Sequence, residues 1–242
     1  PVVGGYARGR LEQLLSQPGC PVCRALAENT ALHRRWFLQE YYGEGAWIGR
    51  LRESVGFCTS HFWGLSRSGA SYQLTYVLQY LLDGYRARLC EARQLLTLHN
   101  PRAYWRSRLL LARVRAALLP RQACPLCADT AAWEQGLLTD LLALLAEPAF
   151  ATRYQQSEGL CVRHVMAAAQ LAPAAVLAFL IADLDCRLER LRVETVEYFR
   201  KAEWTHRHEP KGAEQTAWLR GIARLVGPDP CLASGSGPSR GR

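Results

Sequence analysis

Lysine is almost missing from this chain: Lys201 and Lys211 are the only two, so 28 of the 30 basic residues are arginine. The net charge is still +9 at pH 7, a balance that ordinarily raises nucleic acid or an anionic surface as partner. GC-rich coding produces the same arginine skew, so the charge is only a minor guide. Strand-type alternation of apolar and polar residues is absent, which argues against a sheet-based fold. No nucleophile–base pattern and no glycine-rich phosphate loop is present, so nothing points to catalysis and the expectation is a non-enzyme. Long apolar runs are lacking too. The nearest, residues 165–182, contains Gln170 and Pro173, and reads as a buried helix pair rather than a transmembrane span. No positive leader followed by an apolar run opens the chain, and a cytoplasmic location is expected. In a reducing compartment the nine cysteines are then candidates for metal ligation or catalysis before disulfides.

What is present is a doubled pattern. "CPVC" at Cys20–Cys23 returns as "CPLC" at Cys124–Cys127, displaced by 104 residues; "GFCTSH" at Gly56–His61 returns as "GLCVRH" at Gly159–His164, displaced by 103. Four ligand-type residues, one proline and one glycine keep register with a single one-residue slip, which marks a tandem repeat.

The periodicity between the motifs is helical. Leu74, Val77, Leu78, Leu81, Leu82, Tyr85 and Leu89 recur at three- and four-residue steps, as do Leu177, Leu180, Ile181, Leu184, Leu188 and Leu191. Each repeat therefore ends in a long amphipathic helix. Residues 24–42 and 128–147 read as helices entered through the Cys-Pro-x-Cys turn, where proline suits the first helical position. The expected fold is all-α: a first helical repeat over 6–99, a basic connector helix over 100–121, a second repeat over 122–203, a helical segment over 204–227 and a disordered tail over 228–242. With 49% hydrophobic residues the chain can bury a core. The connector carries a candidate nucleic-acid or surface-binding set, Arg102, Arg106, Arg108, Arg113 and Arg115, with Leu110, Leu111, Val114 and Leu118 as its apolar stripe. A solvated arginine face explains the same pattern.

Each repeat offers three cysteines and one histidine, the mixture of a closed structural zinc site. The expected ligands are Cys20, Cys23, Cys58 and His61 for one site, and Cys124, Cys127, Cys161 and His164 for the other. Cys-x-x-His at a helix start puts both side chains on one face, and Gly56 and Gly159 free the backbone for a tight entry. Closing a loop of more than thirty residues with an ion suits a small helical unit. Three thiolates would leave a zinc site at −1, which Arg24 and Arg163 can offset. A thioredoxin-type dithiol would need a βαβ context that is missing, and haem attachment would need histidine directly after the second cysteine. An iron–sulfur cluster stays open beside zinc. Cys90 and Cys186, inside long helices, read as small buried hydrophobes. Glu209, Glu214, His206 and His208 form a polar group near the C-terminus that could line a hydrolase or transferase site and that a polar turn explains equally well. Two functional readings remain: a zinc-binding helical module that binds a protein partner or itself, and a zinc-thiolate redox sensor.

With the ending "EYFRKAEWTHRHEPKGAEQTAWLRGIARLVG" (residues 197–227), these motifs resemble an uncharacterised bacterial family, domain of unknown function 6062. The resemblance runs from about Tyr6 to Gly227 and rests on both cysteine motifs and on Glu209, Pro210, Gly212, Glu214 and Trp218. Where an Asp-Tyr-Arg is expected, this chain reads Glu203-Trp204-Thr205. The family implies a helical, zinc-binding protein and supplies no activity.

Overall fold

The computed structural model describes residues 3–97 and 104–228, with the side chains of all of these except 104–107. Among them are eleven α-helices and no strand: α1 (Gly5–Leu15), α2 (Pro21–Gln39), α3 (Gly45–Ser54), α4 (Thr59–Ser66), α5 (Ser71–Thr97), α6 (Tyr104–Leu118), α7 (Pro125–Leu144), α8 (Pro148–Gln156), α9 (Val162–Ala168), α10 (Ala174–Ala202) and α11 (Ala217–Val226). The all-α class expected from the periodicity is what the chain adopts, with both long terminal helices of the repeats, α5 and α10, in place. The 165–182 stretch is indeed a helix pair, α9 and the start of α10, burying Val165, Ala168, Val176 and Leu180. No helix among the described residues is long and apolar enough to cross a membrane.

Two compact units are present, and their boundaries fall inside helices. One comprises the residues up to Asn29 together with those from Trp133 on; the other is Thr30–Ala132. The first unit thus takes the opening of α2 and the greater part of α7, and the second takes the rest of each. The core of the first unit is large and mainly aliphatic: Leu11, Leu14, Val22, Leu138, Leu141, Phe150, Tyr154, Val165 and Leu180 are among its buried members. The core of the second unit is smaller and more aromatic, with Phe37, Ile48, Leu51, Phe57, Leu65, Leu74, Val77 and Leu126 buried together. There the edge of Phe37 meets Phe57 at 4.9 Å and Phe57 meets Phe62 at 5.6 Å, the arrangement that aromatic quadrupoles favour.

The connector forms α6 and packs along α5. Its stripe differs from the expected one: Val114 and Ala117 are buried, whereas Leu111 faces solvent; positions 111 and 117 flank 114 on opposite sides, three residues either way, and the covered side is that of 117. Arg113 and Arg115 are exposed, and Arg108 is exposed but engaged with a neighbour. Arg102 lies outside the described residues, as do His99, Cys231 and the expected tail from 229 on; Arg106 lies in α6, its side chain outside them. Cys90 and Cys186 are exposed, a correction to their reading as core residues. The helices that carry them bury one stripe only, and neither cysteine is on it.

Candidate metal centres

The eight expected ligand residues gather into two sets of three cysteines and one histidine, but the sets exchange partners between the repeats. Cys20 and Cys23 meet Cys161 and His164; Cys124 and Cys127 meet Cys58 and His61. The pairing within each repeat is therefore corrected. Local spacing fixes each half-site, whereas packing decides which halves meet: the opening of α2 shares a core with α9, and Leu126 and Cys124 at the opening of α7 share one with Leu65 of α4. Each set lies wholly within one compact unit.

All four half-sites are built alike. The carbonyls of Cys20 and Cys124 accept the first helical hydrogen bonds of α2 and α7, from Arg24 and Ala128. Proline follows each at the first helical position, where no N–H is required. Cys58 and Cys161 stand at the N-caps of α4 and α9, extended at φ −66° and −73°. In every case the second ligand is three residues further on, over the same face of the first turn. Cys-Pro-x-Cys and Cys-x-x-His are thus one device with different donors. Gly56 and Gly159, at φ +94° and +67°, turn the chain into the capping cysteine. A side chain there would be strained and would press on Phe62 and Leu81 in the one unit, and on Arg187 and Asp183 in the other.

Within each set all four ligand atoms lie within 4.8 Å of one another. In the α2/α9 centre Cys23 Sγ is 3.7 Å from Cys161 Sγ, and His164 Nδ1 is 3.4, 3.3 and 3.1 Å from the sulfurs of Cys20, Cys23 and Cys161. In the α4/α7 centre Cys58 Sγ is 3.6 Å from Cys127 Sγ, and His61 Nδ1 is 3.3, 3.5 and 3.4 Å from Cys58, Cys124 and Cys127. A tetrahedron with Zn–S and Zn–N bonds of ordinary length has edges of about 3.8 Å between sulfurs and about 3.5 Å between sulfur and nitrogen. The observed edges fit that figure, and each set can hold one metal ion.

The electrostatics agree. Hydrogen bonds from Cys20 and Cys23 hold Cys161 far below the ordinary thiol range, while Cys23 is driven far above it by its contacts with Cys161 and Cys20. Burial disfavours the charged imidazole of His164, but the sulfurs of Cys161 and Cys20 outweigh it and raise the group to about 9. Partial desolvation, then the Cys58 contact, pushes Cys127 up to about 12. Like groups crowded in this way cannot all ionise together; a dication removes the conflict.

The surroundings of the two centres differ. Cys20, Cys161 and His164 are buried, and His164 Nε2 lies 3.1 Å from Glu134 Oε1, though out of line for a hydrogen bond. The approach to Cys161 is clamped: Leu160 N–H donates to Tyr154 Oη at 2.9 Å, and Arg187 donates to Ser157 O at 2.7 Å and Gln155 O at 3.1 Å while paired with Asp183. Arg224 of α11 donates to the carbonyls of Glu158 and Leu160, and a Cβ on Gly227 would lie 2.9 Å from Cys23 Sγ. Arg163 pairs with Glu134 at 3.4 Å, and Arg24 donates to Pro18 O. In the α4/α7 centre Cys127 is exposed and Cys58, His61 and Cys124 are half-buried.

Sequence reasoning missed Tyr154, Arg187 and Glu134. The four-residue spacing of Asp183 and Arg187 was an available signal; nothing local marked the other two. In the polar group near the C-terminus, His206 and Glu209 lie in a turn and Glu214 at the entry to α11. Glu209 accepts Arg200 and His206 and is held at about 2. Glu214, held at about 2 chiefly by the Gly212 N–H, also takes Lys201 and so fixes the entry to α11.

The fold and these centres define an all-helical protein with two Cys3His clusters able to hold metal. Residues 11–230 match the model of a family of unknown function, DUF6062, and the chain belongs to that family. No curated protein and no solved structure matches it.

Proposed function

We propose that this protein is a non-enzymatic zinc-binding helical module, with two structural Cys3His sites, that acts by binding a protein partner. The observation that carries the reading is the closed donor set: four ligand atoms within 4.8 Å in both centres, with edges of zinc–thiolate size and no open position for a reacting group. A polynuclear iron–sulfur cluster spreads its ligands over several irons, and this spacing suits a single ion. Arg24, next to Cys23 in the chain, donates to Pro18 O and meets no carboxylate among the described residues, so its charge is available to offset the surplus of three thiolates on a dication. Protein purified without chelator is expected to carry two zinc ions per chain by native mass spectrometry. Extraction with a strong chelator should lower the helical circular dichroism signal and the melting temperature together. Full helicity and an unchanged melt after verified removal of both ions defeat the structural role.

One observation favours a second reading, a thiol redox sensor. Cys127 is exposed and its sulfur lies 3.6 Å from that of Cys58. Peroxide would take two electrons from these two thiolates, forming one S–S bond as its O–O bond breaks to two hydroxides, with loss of the ion. One zinc per chain is expected to leave first, with a Cys58–Cys127 disulfide found by peptide mapping. Release no faster than from the buried centre rules the sensor out.

A further inference from the structure

Bounded by α10, α11 and the 157–161 segment, beside Cys20 and Cys161, lies a cavity of about 290 Å³ faced by four arginines. Two of them are matched by acids: Arg187 by Asp183 and Arg220 by Glu194. The other two are not. Among the described residues Arg190, exposed on α10, donates only Nε, to Cys186 O, and Arg224 only Nη1, to the carbonyls of Glu158 and Leu160. Neither meets a carboxylate among the described residues. Arg224 is half-buried; its two carbonyl bonds hold one end of the guanidinium, and the positive charge has no counter-charge among the described residues. Glu158, the remaining acid on the wall, is exposed and screened by solvent.

We propose that this cavity binds the phosphate group of a small phosphomonoester between Arg190 and Arg224. A guanidinium presents parallel N–H donors that match two oxygens of a phosphate. Two unanswered cations suit the dianion better than a carboxylate monoanion. The cavity exceeds the size of the phosphate, and Leu191 and Ala223 on its wall leave an apolar surface for a body of a few carbons. The site does not depend on which ion the neighbouring centre holds, and the metal content of every sample tells the two proposals apart.

The test is calorimetric titration of the full chain, metal-loaded, with glycerol 3-phosphate and with inorganic phosphate at constant ionic strength. Arg224 also anchors α11, so the informative variant is Arg190→Gln. The control is Arg192→Gln, an exposed arginine of the same helix that pairs with Glu189 outside the cavity. Saturable binding is expected in the wild type, weakened about tenfold or more in Arg190→Gln and unchanged in Arg192→Gln. No saturable binding of either probe up to about 10 mM, or equal weakening in both variants, overturns the proposal.

Discussion

The two centres use the same donors on the same helix-start device, yet one is sunk in a core and the other sits near the surface. His164 is fully buried with Glu134 behind it; at the same register of the first repeat, 104 residues earlier, stands Thr30. Arg187 clamps the approach to Cys161, and 103 residues before it is Gly84. Behind Gly159 the first unit places an arginine and an aspartate; behind Gly56 the second places Phe62 and Leu81. Duplication preserved the ligands and let the support diverge. An ion held by ligands that are buried and whose approach is clamped by Tyr154 and Arg187 would be the one that stability depends on most.

The largest effect should come from removing a ligand at each centre. Cys161→Ser is expected to cost more than about 4 kcal/mol by denaturant unfolding, and Cys58→Ser roughly half of that. Equal losses would erase the distinction between the centres.

A smaller effect should follow from the support alone. Arg187 and Asp183 are each only 10% exposed, so Arg187→Ala strands a buried carboxylate and uncaps the carbonyls of Gln155 and Ser157. A loss of about 3 kcal/mol is expected, with both metals still counted by native mass spectrometry. A neutral result would mean that the aspartate and carbonyls are served by water and that the clamp adds nothing.

The reach of sequence reasoning follows from the same comparison. Fixed spacing is a local property, so the eight residues of the two clusters, the two glycine turns and the helical course of α2, α5, α7 and α10 are all readable from residue order. Which half-site meets which is a property of packing. A 3.6-residue pattern says that a helix has a buried face and is silent about the neighbour that covers it. Within-repeat pairing closes shorter loops, and the chain instead joins Cys23 to Cys161, 138 residues away, because the start of α2 is buried with α7, α8 and α9 in one aliphatic core. Cys90 and Cys186, both exposed, show the same limit: cysteine prefers the interior, but residue type alone does not say which face of a helix is covered. Tyr154 and Glu134 act through contacts with residues 6 and 30 positions on, and no local spacing announces such a pair.

The exchange of half-sites is the central claim, and paired ligand removals test it with one count. Native mass spectrometry of Cys20→Ser/Cys161→Ser should show one metal per chain, since both changes fall in one centre, and Cys20→Ser/Cys58→Ser should show none. The opposite pattern, none in the first and one in the second, would mean that each ion is held within its own repeat and would contradict the account.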